Sequence, residues 1–409
     1  MEVKALHPDR LAIDGGVPVR SEPLSRWPQF DAGDIDAVSR VLRSGKVNYW
    51  TGDECRQFEK EFAALCGTRH AVALANGTVA IELALETLGV GDGDEVIVTS
   101  RSFVASASAI VMCGARAVFA DVDRNSQNIT AETIAPLITP LTKAILCVHL
   151  AGLPCDMDPI MELAGAHDLY VVEDCAQAHG ALYKGRPVGG IGHAGAFSFC
   201  QDKIMTTGGE GGMFVTNDES VWRRAWAYKD HGKSYKTVYE MDHKPGFVYL
   251  HESFGSNWRL TEMQAAIGRR QLLKLAEWHR QRTENARLLQ EGLRGLPALR
   301  VPDGPGDVEP AWYKFYAFVV PEALKPDWDR YRLKEAISAE GIPCFSGSCP
   351  EIYNEKAFAG TDMEPAAPLP VARELGETSI MFLVHPTLGR QEMAQTIEAV
   401  GKVLTAATR

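Results

Sequence analysis

The stretch AFSFCQDKIMTTGGEGG, residues 196–212, decides how this chain is read. Its first residues are apolar and aromatic, as in a buried strand. A single lysine, Lys203, follows them, and then a glycine-rich turn leads into a second apolar run, MFVT. The GGEGG run lacks GxGxxG spacing and precedes a strand rather than a helix, so it is not a dinucleotide-binding turn. It reads as a tight turn that returns the chain beneath the lysine. Upstream, LYVVEDCAQAHG places Asp174 at the end of another apolar strand, with Gln177 just beyond it.

Around this stretch, strand and helix alternate. Strands are expected at 70–75, 95–99, 115–121, 144–150, 169–173, 194–199 and 212–215. Helices are expected at 34–44, 54–66, 78–88, 104–113 and 158–167. Val41, Leu42, Phe58 and Phe62 are the expected core of the first two helices. Such alternation implies an α/β fold with a mainly parallel sheet covered on both faces. Ligands in such sheets bind at the carboxyl ends of the strands. Asn76, Phe103, Asp174, Gln177, Ser198 and Lys203 all fall at or just after predicted strand ends.

The rest of the chain reads as follows. Residues 1–30 form a Pro- and Gly-rich arm that must dock on something. Residues 31–279 form the large domain, and 280–409 a smaller C-terminal α+β domain. Residues 228–254, charged and aromatic, read as a mobile or partner-facing loop, and 261–293 as one long linking helix. In the smaller domain, strands are expected at 312–320 and 380–383, helices at 331–340 and 391–404, and a loop at 342–358.

With 409 residues the chain is long enough for a large domain plus a smaller one. A net charge of −11 argues against nucleic acid or an anionic membrane as the main partner. Nine irregularly spaced cysteines contain no CxxC pair, so no metal site is expected and the thiols read as reduced. The N-terminal MEVKALHPDR has no apolar signal core and no run is long enough to span a membrane, so a cytoplasmic chain is expected.

A lysine beyond a buried strand, with a carboxylate arriving on a neighbouring strand end, is the arrangement of a Schiff-base lysine that holds pyridoxal phosphate (PLP). The carboxylate would keep the pyridine nitrogen protonated. Taken singly, each residue has a plainer reading. Asn76–Gly77–Thr78 opens a helix, where backbone N–H groups favour a phosphate, yet the same tripeptide serves as an ordinary cap. Asp174 could cap a following helix. Phe103 could stack on a cofactor ring or belong to the core. Ser198 could donate to a phosphate.

Together these segments resemble the DegT/StrS sugar aminotransferases, PLP enzymes of fold type I. The resemblance runs from about residue 10 to the C-terminus. It is carried by ANGTVAIELAL (75–85), GDEVIVTSRSFVASASAI (93–110), DVD (121–123), VVEDCAQAHGA (171–181), GAFSFCQDKIMTTGGEGGM (195–213) and GSNWRLTEMQAAIG (255–268). It implies that Lys203 forms the Schiff base, Asp174 pairs with the ring nitrogen and Gln177 meets the ring hydroxyl. It further implies that Gly77, Thr78 and Ser198 hold the phosphate and that Phe103 stacks on the ring. Asn257, with Arg259 in the same loop, would reach the cofactor of a neighbouring subunit in a homodimer. The implied reaction aminates a keto-sugar, nucleotide-linked, with glutamate or glutamine as donor.

Three features bear on that reading. The turn is TTGGEGG where the family has TTGEGG. The segment FSGSCPEIYNEKAF (345–358) lacks an HYxP run, which leaves the substrate open. IDGGVPVR (13–20), WPQF (27–30) and VHLAG (148–152) resemble a branch acting on cyclitols or in aminobenzoate synthesis. A dehydratase on the same fold carries histidine in place of the lysine, so Lys203 argues against it. A non-catalytic regulator would not need the intact set of cofactor residues.

Overall fold

A computed structural model describes residues 10–242, 246, 248–303 and 306–409. Seven strands form the central sheet: β1 (His70–Leu74), β2 (Glu95–Thr99), β3 (Arg116–Ala120), β4 (Thr142–Val148), β5 (Tyr170–Asp174), β6 (Ala194–Ser198) and β7 (Gly212–Thr216). Their spatial order is β1-β7-β6-β5-β4-β2-β3. Only β7 runs against the others, antiparallel to both β1 and β6. The fold is therefore the expected α/β type with a mainly parallel sheet.

Apolar residues on both strand faces explain why the sheet is covered twice. Ile97, Ile145, Val171 and Phe197 enter one core, while Val96, Leu146, Val172 and Phe214 enter the other. The opening stretch is anchored in the first core. Phe197 and Phe199 pack with Phe58 and Phe62 at ring separations of 4.9–5.8 Å, all at most 1% exposed. Each buried ring contributes about 1.5–3 kcal/mol by area. Alternation along the strand then turns Ser198, between the two rings, to the other side.

The turn after Lys203 contains two positive-φ glycines, Gly208 (φ 87°) and Gly209 (φ 127°). An L side chain is strained at both, which accounts for a glycine pair here. Phe199 N–H donates to the Gly211 carbonyl at 2.8 Å and closes the loop that carries Lys203.

A three-stranded antiparallel sheet, Leu299–Arg300, Phe315–Val319 and Ser379–Phe382, packs with the helices Leu275–Leu293, Arg330–Ala339 and Arg390–Ala407 around a third core. Leu11 from the N-terminal arm joins this core. The arm thus docks as its composition requires. Glu340 accepts from the Ala12 and Val19 N–H groups, and Trp27 Nε1 donates to the Lys203 carbonyl at 2.8 Å. Residues 1–9 of the arm lie outside the described residues.

Several expectations are corrected. Leu42 is 55% exposed, whereas Val41, Phe58 and Phe62 are buried. The helix expected over 261–293 is two, Glu262–Leu272 and Leu275–Leu293. They serve different cores, since Ala266 packs on Ala37 and Val41 while Ala286, Leu289 and Leu293 enter the third core. Lys274, at the break, is held by Asp31 and Asp34 at 2.7 Å each. The stretch 228–254 contains a short helix, Tyr235–Tyr239. Its start is buried, because Asp230 is compensated by Lys233 and Arg259, both at 2.6 Å. Residues 243–245 and 247 of that stretch lie outside the described residues. The strand expected from 312 begins at Phe315, because Trp312 takes φ 51°. The helix Pro370–Thr378 was not anticipated; its apolar residues Ala372 and Leu375 are few, and it draws its packing from the first core.

Candidate active site

At the carboxyl end of the sheet lies a cavity of 970 Å³. Its lining includes Gly77, Thr78, Phe103, Asp174, Gln177, Ser198 and Lys203, the seven residues expected in the chain's own site. Asn257, expected at the cofactor of a neighbouring subunit, is not on this wall. It forms an isolated bridge with Asp230 elsewhere on the chain.

Each side chain is positioned by the element that carries it. Asp174 ends β5 and is buried on the cavity wall. Oδ1 accepts from the Ala176 N–H at 3.0 Å and Oδ2 from Ser106 Oγ at 2.8 Å. A turn follows, not a helix, so Asp174 caps nothing. Burial pushes its carboxyl up, opposed by those two bonds and by Lys203. No cation forms an ion pair with it among the described residues, so a carboxylate on the cavity wall lacks its counter-charge. A protonated pyridine nitrogen would supply that charge.

Gln177 Oε1 accepts from the Ala151 N–H at 2.7 Å, which leaves its amide N–H₂ as the donor end. Ala151 holds φ 57° within VHLAG, so that motif positions Gln177. Asn76 Oδ1 accepts from the Val79 N–H at 3.0 Å and caps the helix Gly77–Thr87. The cap reading of Asn76 is therefore right. The Gly77 and Thr78 N–H groups have no partner within the helix and sit beside Ser198. A Cβ on Gly77 would lie 2.6 Å from Ser198 Cβ, so only glycine lets this helix start approach the strand end. The cradle suits a phosphate. Phe103 is 67% exposed and lines the cavity, so it is a wall residue and not core.

Lys203 Nζ accepts and donates no hydrogen bond among the described residues and lies 5.0 Å from the centroid of the Tyr313 ring. Tyr313 is fixed by its hydroxyl, which donates to Asp202. Sequence reasoning missed Tyr313, Lys314 and Tyr316, which close the cavity from the side of the smaller sheet. Their signal was only an aromatic run, WYKFY (312–316), on a strand far along the chain.

The sequence profile of the DegT/DnrJ/EryC1/StrS aminotransferase family matches residues 28–401. The chain belongs to this family. An L-glutamine:2-deoxy-scyllo-inosose aminotransferase of Streptomyces kanamyceticus is 38% identical over 419 residues, covering 98% of each chain. A dTDP-3-amino-3,4,6-trideoxy-alpha-D-glucose transaminase of Streptomyces venezuelae is 37% identical over 364 residues, covering 89% of this chain and 90% of the other. The X-ray structure of an aminotransferase from Psychrobacter cryohalolentis has a TM-score of 0.92 and 56% identity, covering 94% of this chain and 99% of its own. The protein is a PLP-dependent aminotransferase of fold type I. Asp174, Gln177 and the Gly77–Thr78–Ser198 cradle fit that cofactor.

Proposed function

We propose that this aminotransferase moves an amino group from glutamate or glutamine to the ketone of a sugar, nucleotide-linked, to give an amino-sugar. The unpaired Asp174 carboxylate, enclosed on the wall that also carries Lys203, is the observation that carries the reading. PLP, when bound, supplies an electron sink for charge developing on the carbon that bears the nitrogen. Asp174 would keep a proton on the ring nitrogen by charge, and Gln177 would donate to the ring oxygen. Gly77, Thr78 and Ser198 would receive the phosphate, while Phe103 would cover one ring face. Lys203 would hold the cofactor through its carbonyl and, as a free amine, would be placed to move a proton at the donor α-carbon. Tyr313, held against Asp202, sets its ring centroid 5.0 Å from the Lys203 amine.

We further assign Asn257 to the cofactor site of a second copy in a homodimer, and the lobes to 31–279 and 280–409. Nine unpaired cysteines support a reducing, cytoplasmic setting. A cyclitol ketone is the second reading of the acceptor, favoured by the 98% coverage of the scyllo-inosose aminotransferase and by VHLAG.

The test has two halves. The PLP-loaded protein is mixed with glutamate and with glutamine, and the visible absorbance is followed. The resulting amino form is then offered keto-sugar nucleotides and cyclitol ketones, with products read by mass spectrometry. Loss of the band with a donor and a one-nitrogen mass gain on a keto-sugar are expected, and Lys203→Ala abolishes both. No reaction with any amino acid would refute the reading. For the dimer, mixing Lys203→Ala with Asn257→Ala chains should restore activity above either parent, given subunit exchange.

A further inference from the structure

An amino-acid donor brings a carboxylate on the very carbon that gives up its nitrogen. That carboxylate must come to rest within a few bonds of Lys203. An anion taken from water into an enclosed cavity loses hydration unless a cation or several donors replace it. Among the described residues lining the cavity, only Lys203 and Lys314 carry positive charge, against Asp174, Asp202 and Glu210. Lys203 would be occupied with the cofactor. Arg101 and Arg282 are buried cations with nitrogens that lack a hydrogen-bond partner, but neither lines the cavity.

Lys314 makes no hydrogen bond or ion pair with any described residue. Its Nζ lies 4.8 Å from the centroid of the Tyr313 ring, the same ring that has Lys203 Nζ at 5.0 Å. Tyr313 cannot drift, because its hydroxyl is tied to Asp202 and its N–H to the Ala151 carbonyl at 2.9 Å. Its own carbonyl accepts from Arg282 at 3.4 Å. Two amines therefore lie within 5.0 Å of the centre of one fixed ring. One amine is used in chemistry and the other is without a counter-ion. Burial lowers the pKa of Lys314 to about 8, assisted by Arg282 and Lys203 and opposed by Asp202. An anion beside it would reverse that shift.

Resting on the transaminase reading, we propose that Lys314 binds the α-carboxylate of the amino donor and so admits α-amino acids, not simple amines, to Lys203. The variants are Lys314→Met, similar in length and without charge, and Lys314→Arg, which keeps the charge. Single-turnover reaction of the PLP-loaded protein with the donor used by the parent measures its dissociation constant. A charge-assisted hydrogen bond lost to methionine should raise that constant about ten- to hundredfold. Arginine should recover most of the loss. The amino form reacting with its ketone, which brings no α-carboxylate, should change far less. Calorimetric binding of glutarate, which cannot transaminate, should weaken in parallel with the donor. If Lys314→Met misfolds, Lys314→Gln makes the same comparison.

Equal loss in both half-reactions would make Lys314 a structural residue and overturn the proposal. Loss confined to the ketone half would reassign it to the acceptor. An unchanged donor constant would mean that another group, such as one from the partner subunit, supplies the cation. If the parent protein reacts with no α-amino acid, the transaminase reading itself has failed, and this inference falls with it.

Discussion

Glu173 and Asp174 are neighbours on β5, both enclosed, yet they point to opposite sides of the sheet and live in opposite circumstances. Glu173 is saturated. Its Oε1 accepts from the Ile191 and Gly192 N–H groups at 2.8 and 2.7 Å, and its Oε2 from Gly189 at 2.8 Å and His149 Nε2 at 3.1 Å. The Cys155 N–H donates to His149 Nδ1 at 3.0 Å, so Nε2 is the nitrogen that bears the proton toward Glu173. Burial works to raise the Glu173 pKa, but these bonds outweigh it and hold the carboxyl below its ordinary value. Asp174 has two partners and no cation, and its pKa is raised by burial. The fold completes one carboxylate and leaves the other for a ligand. A buried charge left short within the protein marks a functional site where a saturated one marks structure.

The sharpest test of that contrast is the pair of amide variants. Asp174→Asn should lower turnover by at least about a hundredfold, or about 3 kcal/mol, while the unfolding midpoint moves little. Glu173→Gln should do the reverse, losing about 3 kcal/mol of stability in denaturant titration, because amide hydrogens would face backbone donors. If both variants lose turnover and neither loses stability, the division between them is wrong.

The two should also differ with pH. A carboxyl depressed in the native state adds stability that is complete above its unfolded value, near 4.5, and is lost as pH falls through the native value. The acid limb of the stability curve should therefore flatten in Glu173→Gln. On the cavity side, Lys314 must be charged to hold a carboxylate. The donor KM should rise as pH passes about 8, with Asp202, Lys203 and Arg282 as the charges around it. That inflection should vanish in Lys314→Met. The smallest effect is expected at Trp27. Trp27→Phe removes the bond to the Lys203 carbonyl and trims the ring that packs on Trp278 and Arg282, costing about 1 kcal/mol for the bond and a few-fold in turnover. A loss as large as that of Asp174→Asn would show that the arm, not the sheet end, positions the lysine.

Legibility in the sequence followed the range of the interactions. The strand at 194–199 and the placing of Ser198 near its end needed only a short apolar run, and the structure adds that Phe197 and Phe199 enter the core while Ser198 lines the cavity. Asp174 and Lys203 were legible as strand-end residues for the same reason. The break at Leu273–Lys274 was not, because it depends on Asp31 and Asp34, far away along the chain. Nor was the buried start of the 228–254 stretch, where Lys229, Asp230 and Lys233 look like solvated charges until Arg259 is brought to them.

The sequence by itself determined the α/β order, the lysine with its two-glycine turn, and the family to which the chain belongs. These rest on local periodicity and on short motifs that keep their meaning out of context. Only the tertiary structure decided that Glu173 is satisfied and Asp174 is not, that Trp27 reaches the backbone of Lys203, and that Lys314 shares a ring with it. Each of those depends on which distant groups fill a side chain's hydrogen-bonding and charge requirements, and a linear pattern carries no record of that.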